Sequence, residues 1–300
     1  MSITSAQRRL KPFMLPIAII CGFLFYKPIA ALQWMVPYLI FTMLFLTFCR
    51  VRPRDFRMDR MIWLLLAEQI IGSVILFYAI RPFGLSLAQS AMLCVLCPTA
   101  TAAPVVTGML GGSIVRVASY SIVCNTAVAI FAPFFFVVAN PGADVDFMAA
   151  SLAIATKLAP MIVLPLASAL LLYLFVPEAH AAIGKVQGIS FYLWAVSLCL
   201  VVGKAVGYIM SEPPSEIPLM TAMAVLSALI CVAQFAIGRR IGAACGDKIS
   251  AAQGLAQKNT VLGIWMALNY LNPVSSIGAA AYIIWQNLIN SLQLFYKSRK

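Results

Sequence analysis

Four ionisable side chains stand inside long apolar stretches of this 300-residue chain: Glu68, Lys157, Lys204 and Lys258. A charge held away from water is costly and normally faces a partner or a cavity. Lys258 is the most unusual of them. It lies in "GLAQKNTVLG" (254–263), where Gln257, Lys258, Asn259 and Thr260 are consecutive and a glycine stands at each end. A cation among amides and a hydroxyl has three uses: to hold an anion, to replace a metal ion, or to exchange a proton. A second run, "CPTATAAPVVTGMLGGS" (97–113), offers the hydroxyls of Thr99, Thr101 and Thr107 between Pro98 and Pro104. Cys94-x-x-Cys97 has dithiol spacing, but within an apolar helix such thiols read as small hydrophobes. The one histidine, His180, falls in a polar stretch expected to be a loop, and no metal set accompanies it.

The elements that must position these residues follow from composition. Hydrophobic residues make up 63% of the chain and charged residues 10%, against about 25% charged in soluble domains. Apolar runs of roughly 20 residues recur, the length that crosses a hydrocarbon layer. The reading is an all-α polytopic membrane protein of ten spans: 12–29, 33–50, 60–80, 86–110 and 113–139, then 147–175, 181–210, 215–242, 247–271 and 275–298. No cleavable signal peptide is expected, because the first apolar run lacks a small-residue cleavage site. The net charge of +12 sits in short clusters between spans, without any nucleic-acid motif.

Charge placement orients the spans. With both termini cytoplasmic, the inner segments hold Arg8, Arg9, Lys11, Arg50, Arg52, Arg54, Arg57, Arg60, Arg116, Lys185, Arg239, Arg240, Lys248, Lys297, Arg299 and Lys300. These are sixteen of the 21 basic residues. Asp144, Asp146, Glu212 and Glu216 then fall outside, with Lys27 and Arg81. The localisation expected is the inner (plasma) membrane. Two halves of five spans imply an inverted repeat, a common transporter plan; "FMLPIAIICG" (13–22) and "KLAPMIVLPL" (157–166) align weakly through Pro16 and Pro160.

Spans 4 and 9 occupy matching places in the two halves, and both are interrupted. Proline removes a backbone donor and disfavours helix just before it. Broken helices at membrane depth survive only where protein, water or ligand satisfies the freed groups. Paired interruptions point to a transporter's binding site, where half-helix N-termini present partial positive charge to an anion.

Two segments, "GRRIGAACGDKISAAQGLAQKNTVLG" (238–263) and "IFTMLFLTFCRVRPRDF" (40–56), resemble the bile acid/sodium symporter family. The resemblance implies ten helices in two inverted repeats, with helices 4 and 9 crossing. Panel helices 1–2 would occupy 1–58 and panel helices 6–7 residues 141–211. Core helices 3–5 would occupy 59–140 and core helices 8–10 residues 212–300. Members bind sodium in the core and carry an organic anion between core and panel. Their helix 9 carboxylate falls on Gly254 or Gln253 here, depending on a one-residue choice of register; their glutamine falls correspondingly on Lys258 or Gln257, and their asparagine on Asn259. A helix 4 Ser-Asn pair aligns with Ala103 and Pro104, while a helix 5 hydroxyl ligand is kept as Ser121, with Asn125 one turn further on. The sodium carboxylate is absent in either register.

The expected function is therefore secondary transport of a small organic anion by alternating access. The candidate binding residues are Thr99, Thr101, Pro104, Thr107, Ser121, Asn125, Gln253, Gln257, Lys258, Asn259 and Thr260. The Lys258 ammonium is expected to stand where relatives hold sodium, with Glu68 at similar depth as its counter-ion; coupling would then use a proton or no ion at all. A fixed structural ion pair and sodium held by backbone carbonyls are the alternatives. Lys157 is expected to line the groove as an anion-binding charge, and Lys204 to reach the outer surface. No cofactor is expected, and the partners are the organic anion and the lipid bilayer, not nucleic acid. Two other classes stay open: a cation/proton antiporter of related crossed-helix fold, and a membrane receptor or membrane-embedded enzyme. With one acid and no histidine inside the spans, enzymatic chemistry is poorly supplied.

Overall fold

The computed structural model describes residues 14–49, 58–140, 146–186, 188–211 and 213–298. Arg8, Arg9, Lys11, Arg50, Arg52, Arg54, Arg57, Arg299, Lys300, Asp144 and Glu212 lie outside the described residues. The helices in chain order are α1 (Met14–Leu24), α2 (Tyr26–Ile29), α3 (Val36–Phe48), α4 (Arg60–Ile80), α5 (Leu85–Leu96), α6 (Ala103–Leu110) and α7 (Ile114–Ala139). There follow α8 (Phe147–Phe175), α9 (Pro177–Gly184), α10 (Gly188–Ile209), α11 (Ile217–Ala244), α12 (Lys248–Ala256), α13 (Thr260–Tyr270) and α14 (Ser276–Ser298). No strand occurs among the described residues.

Among the described residues, five helical runs are long and apolar enough to cross a membrane: Tyr26–Phe48, Arg60–Phe83, Ile114–Ala139, Tyr192–Ile209 and Pro214–Ala244. Shorter apolar helices accompany them, as in a multi-pass membrane protein. The distribution of polarity agrees. Trp63, Ile71, Ile75 and Tyr78 of α4 are exposed, while Gln69 and Ser73 of the same helix are buried. A protein in water would reverse that arrangement.

Helix starts fall where side chains can cap them. Asp59 accepts from the Ile62 amide at 3.2 Å, Asp146 from Ala149 at 3.0 Å and Asp247 from Ser250 at 2.9 Å. Ser113 does the same for Arg116 at 3.3 Å. The expected spans 60–80 and 147–175 coincide with α4 and α8. Two boundaries differ. The chain turns at Phe25, and Tyr26–Phe48 then runs on through a 3₁₀ stretch, Ala30–Met35; no glycine or cluster of turn residues stands near 30–33 to end the helix there. The expected span 181–210 is two helices, α9 and α10, and His180 belongs to α9 rather than to a loop. Its ring is buried, 5.2 Å from that of Tyr173.

Two groups of neighbours emerge. Helices α4, α5, α7, α11, α12 and α14 pack around the broken pairs α5/α6 and α12/α13. Helices α1, α3 and α8 surround the rest, α1 and α3 both lying on α10 and α3 on α8. Contacts of α7 with α8 and of α10 with α14 join the groups.

Candidate functional site

The two interruptions meet. Residues 97–102 separate α5 from α6, residues 257–259 separate α12 from α13, and the extended segments cross antiparallel with Thr99 opposite Lys258. Ala100 donates its amide to Gln257 O at 2.8 Å, and Asn259 donates to Pro98 O at 2.7 Å. Proline explains the first break: Pro98 cannot donate within a helix. Pro104 sits in the first turn of α6, where a missing N–H costs nothing. The second break contains no proline. There Asn259 caps α13, its Oδ1 accepting from the Leu262 amide at 3.3 Å.

The side chains of the two opposed residues repeat one arrangement. Thr99 Oγ1 donates to Gly254 O at 2.9 Å, four residues before Lys258. Lys258 Nζ donates to Val95 O at 2.7 Å, four residues before Thr99. Each half-helix thus ends on a donor supplied by the other, and the crossing has local two-fold symmetry in its hydrogen bonds. What breaks the symmetry is charge. The carbonyl end of α5, the negative end of its dipole, receives an ammonium; that of α12 receives a hydroxyl.

Freed backbone groups at membrane depth must find partners, and residues outside the expected set provide them. Gln69 of α4, fully buried, donates to Leu96 O at 2.9 Å and Cys97 O at 3.0 Å. Its own carbonyl accepts from Tyr120 Oη at 2.6 Å and the Cys124 thiol at 3.1 Å. Gln286 of α14 accepts from the Lys258 amide at 2.7 Å and donates to Lys258 O at 3.2 Å. Tyr282 Oη donates to Ala256 O at 3.0 Å. The expected set omitted Gln69, Tyr120, Tyr282, Gln286 and Asn290. For α14 a signal existed, since Gln286, Asn290 and Gln293 recur on one face of the helix.

Of the expected residues, Thr99, Gln257, Lys258 and Asn259 are in the crossing itself. Gln253 belongs to a buried amide cluster on the α12–α14 interface, donating to Asn290 Oδ1 at 3.1 Å and Gln293 Oε1 at 2.9 Å while accepting from Gln257. Ser121 and Asn125 bond each other on α7, Nδ2 to Ser121 O at 2.6 Å, one turn around from Cys124, whose sulfur accepts from the Thr99 amide at 3.4 Å. Asn125 Oδ1 and Asn259 Nδ2 are buried without a protein partner. Thr101 and Thr260 are buried at the two ends of the crossing, and Thr107 lies further along α6 with its hydroxyl unpartnered.

The expected charge pair is not formed. Lys258 is 1% exposed and bonds Val95 O; Glu68 accepts from Gln234 Nε2 at 2.8 Å. Glu68 and Lys258 make no ion-pair contact with each other. The reason is reach: Gln234 of α11 meets the carboxyl first, and the α5 carbonyl meets the ammonium first. Lys157 lies away from the crossing, its exposed ammonium 4.5 Å from the centroid of the Trp265 ring on α13. That contact is a cation–π pair between the two groups of helices.

At the α12 entrance Arg116 ties the helix starts together, with Nε 3.1 Å from Asp59 and a terminal nitrogen 3.7 Å from Asp247. No family model and no curated protein matches the chain, so its own residues carry the functional reading.

Proposed function

We propose that the chain is a secondary transporter that moves a small organic anion by alternating access, without sodium. The single observation that carries this reading is the paired, mutually capped crossing, with a buried ammonium on one of its carbonyl ends. Its local two-fold supports an architecture of ten spans in two inverted repeats, in which α4, α5/α6 and α7 correspond to α11, α12/α13 and α14. The helices that pack around the crossing are the core, and α1–α3 with α8–α10 are the panel. The N-termini of α6 and α13 then face the anion. Asn259 Nδ2, buried without a partner, is a donor for it, and Lys157 beside Trp265 supplies charge at the core–panel boundary. The charge distribution supports cytoplasmic termini in the plasma membrane.

The carbonyl ends of α5 and α12 do not suit sodium. A monovalent metal at the crossing needs free oxygen ligands. Val95 O is taken by Lys258, Leu96 O and Cys97 O by Gln69, and Gly254 O by Thr99. An ammonium already present repels a second cation at that point.

Uptake of labelled mono- and dicarboxylates into proteoliposomes tests the proposal. Solute-specific accumulation that persists when choline replaces sodium, and falls in Lys157→Met, is expected. Accumulation that requires sodium would refute the coupling; absence of accumulation for every anion would refute the transport reading.

A further inference from the structure

Glu68 and Gln234 face each other between α4 and α11 in a way that an ionised carboxylate leaves unexplained. Gln234 Nε2 donates to Glu68 Oε1 at 2.8 Å. The other oxygen of each group, Glu68 Oε2 and Gln234 Oε1, is buried with no hydrogen-bond partner. Gln234 is 2% exposed. Each is an acceptor, and a buried acceptor without a donor carries a full desolvation cost, larger for a charged group. One proton removes both deficits. Placed on Oε2 it makes the carboxyl a donor, and the acceptor across from it is the Gln234 carbonyl. The two planar groups, already joined at one corner, then form an acid–amide ring with both hydrogen bonds made.

We propose that Glu68 and Gln234 form a proton-binding site, in which this conformation holds the carboxyl protonated and closed on the Gln234 amide. The proton comes from water and returns to it, with no other reactant. The titratable groups facing Glu68 are few. Lys258, from the α12–α13 junction, is the charge nearest to act on it, and Tyr120, from α7, lies within its field. The other neighbours of α4 bring thiols, Cys94 and Cys97 from α5, Cys124 from α7 and Cys231 from α11. Val95, whose carbonyl holds Lys258, lies beside the Glu68 carboxyl at Gly72, where both approach within 4 Å of the same point. Release of the proton leaves a carboxylate whose compensating charge is Lys258. Proton occupancy at Glu68 and the position of Lys258 are therefore linked. That linkage makes the proton the coupling ion; this last clause rests on the transport reading, whereas the site itself does not.

Infrared spectroscopy of the protein in lipid tests the site. The expected result is a protonated-carboxyl stretching band that is absent in Glu68→Gln, disappears as pH is raised, and shifts in Gln234→Leu, which removes the amide partner. Glu68→Gln reproduces the ring with an amide–amide pair, so its melting temperature at neutral pH should equal or exceed wild type. Wild type should lose thermal stability as pH rises and Glu68→Gln should not, because only the native carboxyl must give up a proton. A spectrum unchanged by Glu68→Gln overturns the proposal, as does a marked loss of stability in that variant, which would identify an ionised counter-ion to Lys258. If the band behaves as expected in a protein that accumulates no anion, the proton site stands and the transport reading fails. Anion uptake that ignores both an imposed pH gradient and Glu68→Gln overturns the coupling clause alone.

Discussion

Replacing Gln69 with leucine tests whether the crossing depends on its partners in neighbouring helices. The side chain is fully buried, and leucine nearly matches its size, so packing changes little. What changes is hydrogen bonding. Leu96 O and Cys97 O lose their donor, and Tyr120 loses its short bond to the Gln69 carbonyl. At about 1–3 kcal/mol for each buried polar group left unmatched, the two carbonyls predict a loss of roughly 2–6 kcal/mol. At about 2 °C per kcal/mol for a chain of this size, the melting temperature should fall by roughly 4–12 °C. A thiol-reactive fluorophore suits the measurement, because Cys94, Cys97, Cys124 and Cys231 are free and buried and become reactive as the core opens. Gln89 is the control. It is equally buried and bridges Ala139 O at 2.8 Å and the Asn272 amide at 3.0 Å, away from the crossing. Gln89→Leu should also lower the melting temperature, yet leave anion affinity unchanged, whereas Gln69→Leu should weaken both. If Gln69→Leu melts with wild type, the accounting of freed carbonyls is wrong.

Gly238→Val should cost about 3 kcal/mol or more by overpacking, since a Cβ there meets Ala252 Cα at 2.7 Å and Ala251 O at 2.8 Å where α11 lies against α12; thermal melting in detergent reads the loss. Arg116→Met should lower stability by only about 1 kcal/mol, because its ion pairs with Asp59 and Asp247 are partly exposed. The deficit should shrink as salt is raised, which distinguishes it from a packing loss.

The sequence made some of this legible and left the rest unreadable for identifiable reasons. The breaks could be located because Pro98 and Pro104 act locally and because Lys258 is polar where its neighbours are not. The caps Asp59, Asp146 and Asp247 are equally local, each one residue before the helix it starts, but were not among the expected features. Gln69 gave no comparable signal: one glutamine in an apolar helix reads as tolerated polarity until the partner carbonyls, 27 and 28 residues away, are brought beside it. The same holds for Gln234, which meets Glu68 across 166 residues of sequence. The expected Glu68–Lys258 pair shows the limit most directly. Equal depth along two helices fixes height in the membrane but not rotation about each axis. Rotation and reach, set by packing, decided which acceptor each charge found.

The symmetry of the crossing makes a further prediction about Lys258 itself. Thr99 satisfies Gly254 O with a hydroxyl, and Lys258 satisfies Val95 O from the equivalent place. A threonine at 258 should therefore reach Val95 O as Thr99 reaches Gly254 O. Lys258→Thr keeps that carbonyl bonded, relieves the burial of a charge, and loses the packing of the lysine stem, a cavity cost on the order of 1–2 kcal/mol. Lys258→Leu fills more of the space but leaves Val95 O bare, at about 1–3 kcal/mol. The two variants should thus melt close together, for opposite reasons, and ions should separate them. With the ammonium gone and a hydroxyl oxygen in its place, the crossing of Lys258→Thr acquires a ligand for a small cation. Sodium at ten times its dissociation constant would stabilise such a site by about 1.4 kcal/mol. Melting curves in sodium and in choline should coincide for wild type and for Lys258→Leu, and diverge for Lys258→Thr. Wild type already stabilised by sodium, and equally so after Lys258→Thr, would show that the ammonium does not stand in the place of a metal ion.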